Sequence, residues 1–105
     1  MKELSIYDNR VVIVLGNDSP LIRVFDDASP TIMTVNSAYP TVVTYGTSKP
    51  TIVTFGTSEP TIRAYDSSRP TIHANDQSLV DVYIRGVRTP IVRESDGAFV
   101  TIRGR

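Results

Sequence analysis

All seven prolines of this chain sit at multiples of ten: Pro20, Pro30, Pro40, Pro50, Pro60, Pro70 and Pro90. Proline fixes its own φ and has no amide hydrogen, so a proline every ten residues breaks any helix at that interval and is excluded from the middle of a sheet. The residues between are Thr, Val, Ile, Tyr and Phe, which favour strands. The chain must therefore obey one local rule every ten residues, with short strands between corners.

Counting each row of ten from its proline as place one makes the rule visible. Place three is Ile22, Ile32, Val42, Ile52, Ile62, Ile72 and Val92, and rows without proline supply Val12, Val82 and Ile102. Place five is small or β-branched: Val24, Thr34, Thr44, Thr54, Ala64 and Ala74, flanked by Val14 and Ile84. Place seven is Asp26, Asn36, Gly46, Gly56, Asp66, Asp76 or Asp96, with Gly16 and Gly86 in rows that lack proline. Place nine is Ala28, Ala38, Ser48, Ser58, Ser68, Ser78 or Ala98. Side chains alternate along a strand, so places three and five share an inward face. Gly, Asn and Asp at place seven suit a corner that needs positive φ.

Two all-β architectures fit such rows. An antiparallel meander would need ten hairpins of one type, each with proline at the start of a strand. In a parallel β-solenoid, or β-helix, the same corner recurs by translation and identical places form ladders about 4.8 Å apart. Only the solenoid explains why the columns are alike, and it is the expected fold. One row per coil leaves almost no interior, so two rows per coil are expected, giving around five coils. The charges divide on this. Two rows place Arg63 between Val43 and Tyr83, and Asp66 between Gly46 and Gly86, but they also set Lys49 beside Arg69. One row would give the better order Lys49, Glu59, Arg69.

A chain of 105 residues is expected to be one domain: an N-terminal coil or cap over 1–19, regular repeats over 20–79 and a divergent C-terminal coil over 80–105. SIYDN at 5–9 reads as a row slipped by one residue, and RVVIVLG at 10–16 reads as a coil packed on both faces. The last row ends without an amphipathic helix to cover it, so the uncapped ends predict pairing between copies. Eleven basic residues balance eleven acidic ones, which weighs against nucleic acid as a partner. No cysteine is present, which excludes disulfides and thiolate metal sites. The longest apolar run, Val11 to Leu15, is too short to span a bilayer, and MKELSIYDNR carries charge where a signal peptide would be apolar. The expectation is a cytoplasmic protein of a bacterial host or phage-infected cell, with secretion left open.

Units such as PTIRAYDSSR and PTIVTFGTSE resemble the tandem decapeptide repeats, with a core close to T-I-R-A-Y-D/G-S-S, found in various bacterial and phage proteins. The resemblance is strong over about residues 20–78 and weak elsewhere. It implies a β-helical solenoid; it implies little about function and carries no catalytic residues with it.

The residues point away from an enzyme. His73 is the only histidine, in a permissive outward column with Asp76 within reach as a partner, and a solvent role fits it better than general base or ligand. The place-seven aspartates are interchangeable with Gly and Asn, so corner geometry explains them better than metal binding. No paired-glycine calcium motif, no nucleotide-binding glycine loop and no activated serine is found, so no cofactor or metal is expected. The place-two threonines, Thr31 to Thr71, lie an odd number of residues from Thr34, Thr44 and Thr54, which spoils the paired array an ice-binding face needs. The basic C-terminal quarter, with Arg85, Arg88, Arg93, Arg103 and Arg105, reads as a solvated end. What remains is an outward apolar set, Tyr45, Phe55 and Tyr65 of place six with Met33, Val43 and Val53 of place four, expected to meet a protein partner. The expected function is a non-enzymatic protein-binding or scaffolding module, with a phage or mobile-element inhibitor of a host system as its specific form. The alternatives are a fibre or spike component, an ice-binding protein and a carbohydrate-active enzyme.

Overall fold

The computed structural model describes residues 3–15, 19–86, 90–95 and 97–104. Its strands are β1 (Glu3–Ile6), β2 (Val11–Val14), β3 (Leu21–Val24), β4 (Thr31–Thr34), β5 (Thr41–Thr44), β6 (Thr51–Thr54), β7 (Thr61–Ala64), β8 (Thr71–Ala74), β9 (Leu79–Ile84), β10 (Ile91–Glu94) and β11 (Phe99–Arg103). Odd-numbered strands form one parallel sheet in the order β1-β3-β5-β7-β9-β11, and even-numbered strands form the other, β2-β4-β6-β8-β10. The chain is a β-solenoid of about five coils, two rows to the coil: Ile32 pairs with Ile52 and Ile52 with Ile72 on the even sheet, Val42 with Ile62 on the odd one. Lys49 does lie beside Arg69, as this coil length requires, and the Lys49 amide donates across the corner to Ala28 O. Lys49 is exposed and Arg69 half-buried with its Nε left without a partner, a cost that the aligned isoleucines, repeated in every row, outweigh.

The sheets face each other through places three and five. Ile22, Ile32, Val42, Ile52, Ile62 and Ile72 are fully buried, and each such side chain contributes roughly 1.5–3 kcal/mol relative to exposure. Strands β3 to β8 and β10 span places two to five with the proline before them in the corner, whereas β9 and β11, which lack it, begin two places earlier, at place ten. Ladder hydrogen bonds flank the proline: the place-ten amide donates to a place-nine carbonyl, as in Glu59 N to Ala38 O, and the place-two amide to a proline carbonyl, as in Thr61 N to Pro40 O. The missing proline donor thus falls in a gap between ladder bonds.

At the corners from Asp26 to Asp76 the place-nine amide donates to the place-six carbonyl, and place seven takes the left-handed conformation, with φ of 58–60° at Asp26, Asn36, Asp66 and Asp76 and 65–68° at Gly46 and Gly56; Gly86, read as a member of the same column, does not take it. Asp66 and Asp76 also reach down one coil, where their carboxylates accept the Gly46 and Gly56 amides at 3.0 and 2.8 Å. Gly46 is needed for a second reason: a Cβ there would stand 2.8 Å from Asp26 O. Gly16 and Asp96, read as members of the same column, lie outside the described residues.

Two expectations for the first coil are corrected. Ile6 pairs with Val24 and Leu4 with Ile22, so the first row is slipped by two residues, not one, and the corner between β1 and β2 is two residues shorter. The β2 row does not pack on both faces: Val12 and Val14 point in, while Val11, Ile13 and Leu15 are 63, 57 and 57% exposed. The alternation of a strand holds there; only the outward residues are apolar.

Candidate functional site

A coil of two rows sends side chains ten residues apart to opposite walls, and the six predicted partner-binding residues divide accordingly. Tyr45, Tyr65 and Val43 belong to the odd wall, and Met33, Val53 and Phe55 to the even wall. They form two surfaces of different character.

On the odd wall the aromatic rings are turned onto each other. Tyr7, Phe25, Tyr45 and Tyr65 form a continuous stack with centroid separations of 4.9, 5.1 and 5.4 Å and interplanar angles of 8–13°. The ladder spacing matches ring stacking, so the faces cover each other and mainly edges meet solvent. The neighbouring place-four column alternates long cations with apolar groups. Arg23 pairs with Glu3 at 2.9 Å, Val43 is only 7% exposed between Arg23 and Arg63, and Tyr83 lies between the Arg63 and Arg103 guanidinium groups at 5.6 and 5.9 Å. The arginine stems account for the burial of Val43. At the ends of this wall Tyr7, Leu79 and Phe99 stay exposed, but its middle covers itself.

The even wall does not. Its outward columns read Val11, Thr31, Thr51 at place two, Ile13, Met33, Val53 at place four and Leu15, Val35, Phe55 at place six. Over three coils, places four and six are wholly apolar, and exposure is greatest at the N-terminal end of the patch. Above it the columns turn polar, with His73, Asn75, Arg93 and Ser95. Leu15 and Val35 share the outward place six but are not among the six predicted residues, and Val11 and Ile13 are missed by reading the second row as packed on both faces.

Other candidate groups are engaged locally. His73 is half-buried in the even wall, and the carboxylate of Asp76 is turned to the Gly56 amide. A shallow hollow of about 400 Å³ beside that corner is lined by Gly56, Thr57, Asp76, Gln77 and Gly97. No group of three or more His, Asp or Glu side chains is placed to hold a metal ion among the described residues. Arg85, Arg93 and Arg103 are exposed; Arg88 and Arg105 lie outside the described residues.

The two ends also differ. At the N-terminal end Leu4 and Val12 lie over a hollow of about 350 Å³ that Val14, Pro20 and Ile22 help to line. At the corner between β1 and β2, Arg10 Nε meets Asp8 Oδ1 at 3.0 Å, and that hydrogen bond holds the Asp8 carboxyl below the usual aspartate range. At the C-terminal end Glu94 occupies an inward place five, where its carboxylate accepts the Val100 amide at 2.7 Å.

No protein-family model matches the chain, and neither a curated protein nor a solved structure matches it.

Proposed function

We propose that this chain is a non-enzymatic module that binds another protein through the outer wall of its even sheet. The observation that carries the reading is the contrast between the middles of the walls: the odd wall stacks and pairs its own large side chains there, while on the even wall exposed Ile13 and Leu15 continue into half-buried Met33, Val53 and Phe55, an apolar surface over three coils with no ring stack or cation across it among the described residues. Contiguous exposed apolar surface bounded by polar residues marks an interaction site. A parallel solenoid is suited to the role, since its wall is pre-ordered by the ladder and loses little entropy on binding. The size of the chain and the likeness of its rows to bacterial and phage decapeptide repeats favour a blocking protein, encoded by a phage or mobile element, that acts on a host protein in the bacterial cytoplasm.

The test compares two folded variants in capture from a bacterial extract, with the wild-type chain as reference. Ile13→Ser/Met33→Ser/Val53→Ser should lose the captured protein, and Tyr45→Ser/Tyr65→Ser should retain it. The opposite pattern would move the site to the odd wall, and capture unchanged in both would remove both walls from the proposal.

A further inference from the structure

We infer that the N-terminal end of the solenoid docks a second copy of this chain, through a two-fold axis that sets the odd sheet of each copy over the even sheet of the other. This surface is the end of the stack, distinct from the outer wall assigned to a protein partner.

The parity of the strands, together with the C-terminal end, selects the symmetry. β1 and β2 are the terminal strands of the two sheets, and β1 lies half a coil, about 2.4 Å, beyond β2. Stacking copies head to tail with β1 on β11 would seat the odd sheet and leave the even sheet short by a whole strand; a half turn about the stack, setting β1 on β10 and β2 on β11, would continue both sheets and is excluded instead by Glu94 at the C-terminal end. A two-fold that keeps odd over odd leaves the same gap. A two-fold that exchanges the sheets makes both gaps equal, so β1 pairs antiparallel with the partner's β2 and β2 with the partner's β1. Both open edges are then closed by one operation, which is what a closed isologous dimer requires.

The register follows from the inward residues. Setting Leu4 against Val14 and Ile6 against Val12 across the axis is the one antiparallel alignment that matches all four inward residues of β1 and β2. It brings Leu4 and Val12 of both copies over the joined hollows and removes them from water. The same alignment centres the axis on Asn9 and carries the Asp8 of each copy to the Arg10 of the other. Asp8 and Arg10 now pair within the chain, both at the surface, so the exchange keeps these two charges opposed. The C-terminal end is excluded by Glu94, since a coil added there would bury an inward carboxylate.

The experiment uses the full chain and four surface variants, each checked for wild-type circular dichroism. In sedimentation velocity the wild-type chain is expected to be dimeric at micromolar concentration. Asp8→Arg and Arg10→Asp should each weaken self-association about tenfold, because each opposes like charges at two symmetric contacts. An equimolar mixture of the two should regain the wild-type dimer. Asn9→Cys, on the axis, gives up the bond that Asn9 Oδ1 accepts from the Ser29 amide at 2.8 Å and should then oxidise to a covalent dimer, while Gly97→Cys, in the matching corner of the other end, should not. A wild-type chain that stays monomeric, filaments that grow with concentration, or equal crosslinking through residues 9 and 97 would overturn the proposal. A dimer that crosslinks through residue 9 yet ignores both charge changes would overturn the register.

Discussion

The lower and middle parts of the interior are built on one backbone but filled differently. In the middle, Thr34, Thr44 and Thr54 at place five meet Ser58, Ser68 and Ser78 at place nine one coil up, with oxygen separations of 3.0, 2.7 and 2.6 Å. Ser68 and Ser78 pass their own protons to the corner carbonyls of Tyr65 and Asn75, at 2.6 and 2.8 Å. Below, the same register sets Ile6 against Ala28 and Val14 against Ala38, all in the apolar core. The unit of the interior is therefore a pair spanning two rows, both members polar or both apolar. Among the described residues one pair breaks this rule: Val24 stands opposite Ser48, and Ser48 Oγ is a buried hydroxyl left without a partner. The pairing matters because a buried hydroxyl with its partner removed costs more than the bond contributes, whereas removing both partners is nearly neutral.

That difference can be broken or sharpened by substitution. The largest effect sets the scale: Ile52→Ala cuts the isoleucine ladder shared by both parts and should cost about 2–5 kcal/mol in urea unfolding. Thr34→Val keeps the shape but orphans Ser58, and should cost about 1–3 kcal/mol. Ser48→Ala should act in the opposite direction, stabilising by about 1 kcal/mol and raising the thermal midpoint by about 4 °C or more. The smallest change should be that of the double variant Thr34→Val/Ser58→Ala. It converts a middle pair into a lower one and should lie within about 1 kcal/mol of wild type, well short of the Thr34→Val loss. Equal losses in the single and double variants would show that the pair is not the unit.

Much of the fold was legible in the sequence because it is a matter of period. Proline phase, the inward Ile column and the Asp, Asn or Gly corner recur often enough that parallel stacking alone makes them coincide. Coil length was harder to read, since the charges consulted, Lys49, Glu59 and Arg69, lie at or near the surface where their mutual energy is small. The pairing of places five and nine was also present in the rows, as Ala at place nine follows an apolar place five two rows earlier. It becomes visible only once the coil is two rows long. The outer surface was read less well for the same reason. Tyr45, Phe55 and Tyr65 look like one column in the sequence, yet Phe55 lies on the opposite wall, and whether a ring faces solvent or stacks on its neighbour depends on what stands twenty residues away.

The account rests on neighbours being twenty residues apart in the stack, and ring-to-ring nuclear Overhauser contacts test this most directly. Tyr45 should show contacts to both Phe25 and Tyr65 and none to Phe55. Contacts from Tyr45 to Phe55, with those to Phe25 and Tyr65 missing, would mean that the coil closes every ten residues and would contradict both the paired interior and the two unlike walls.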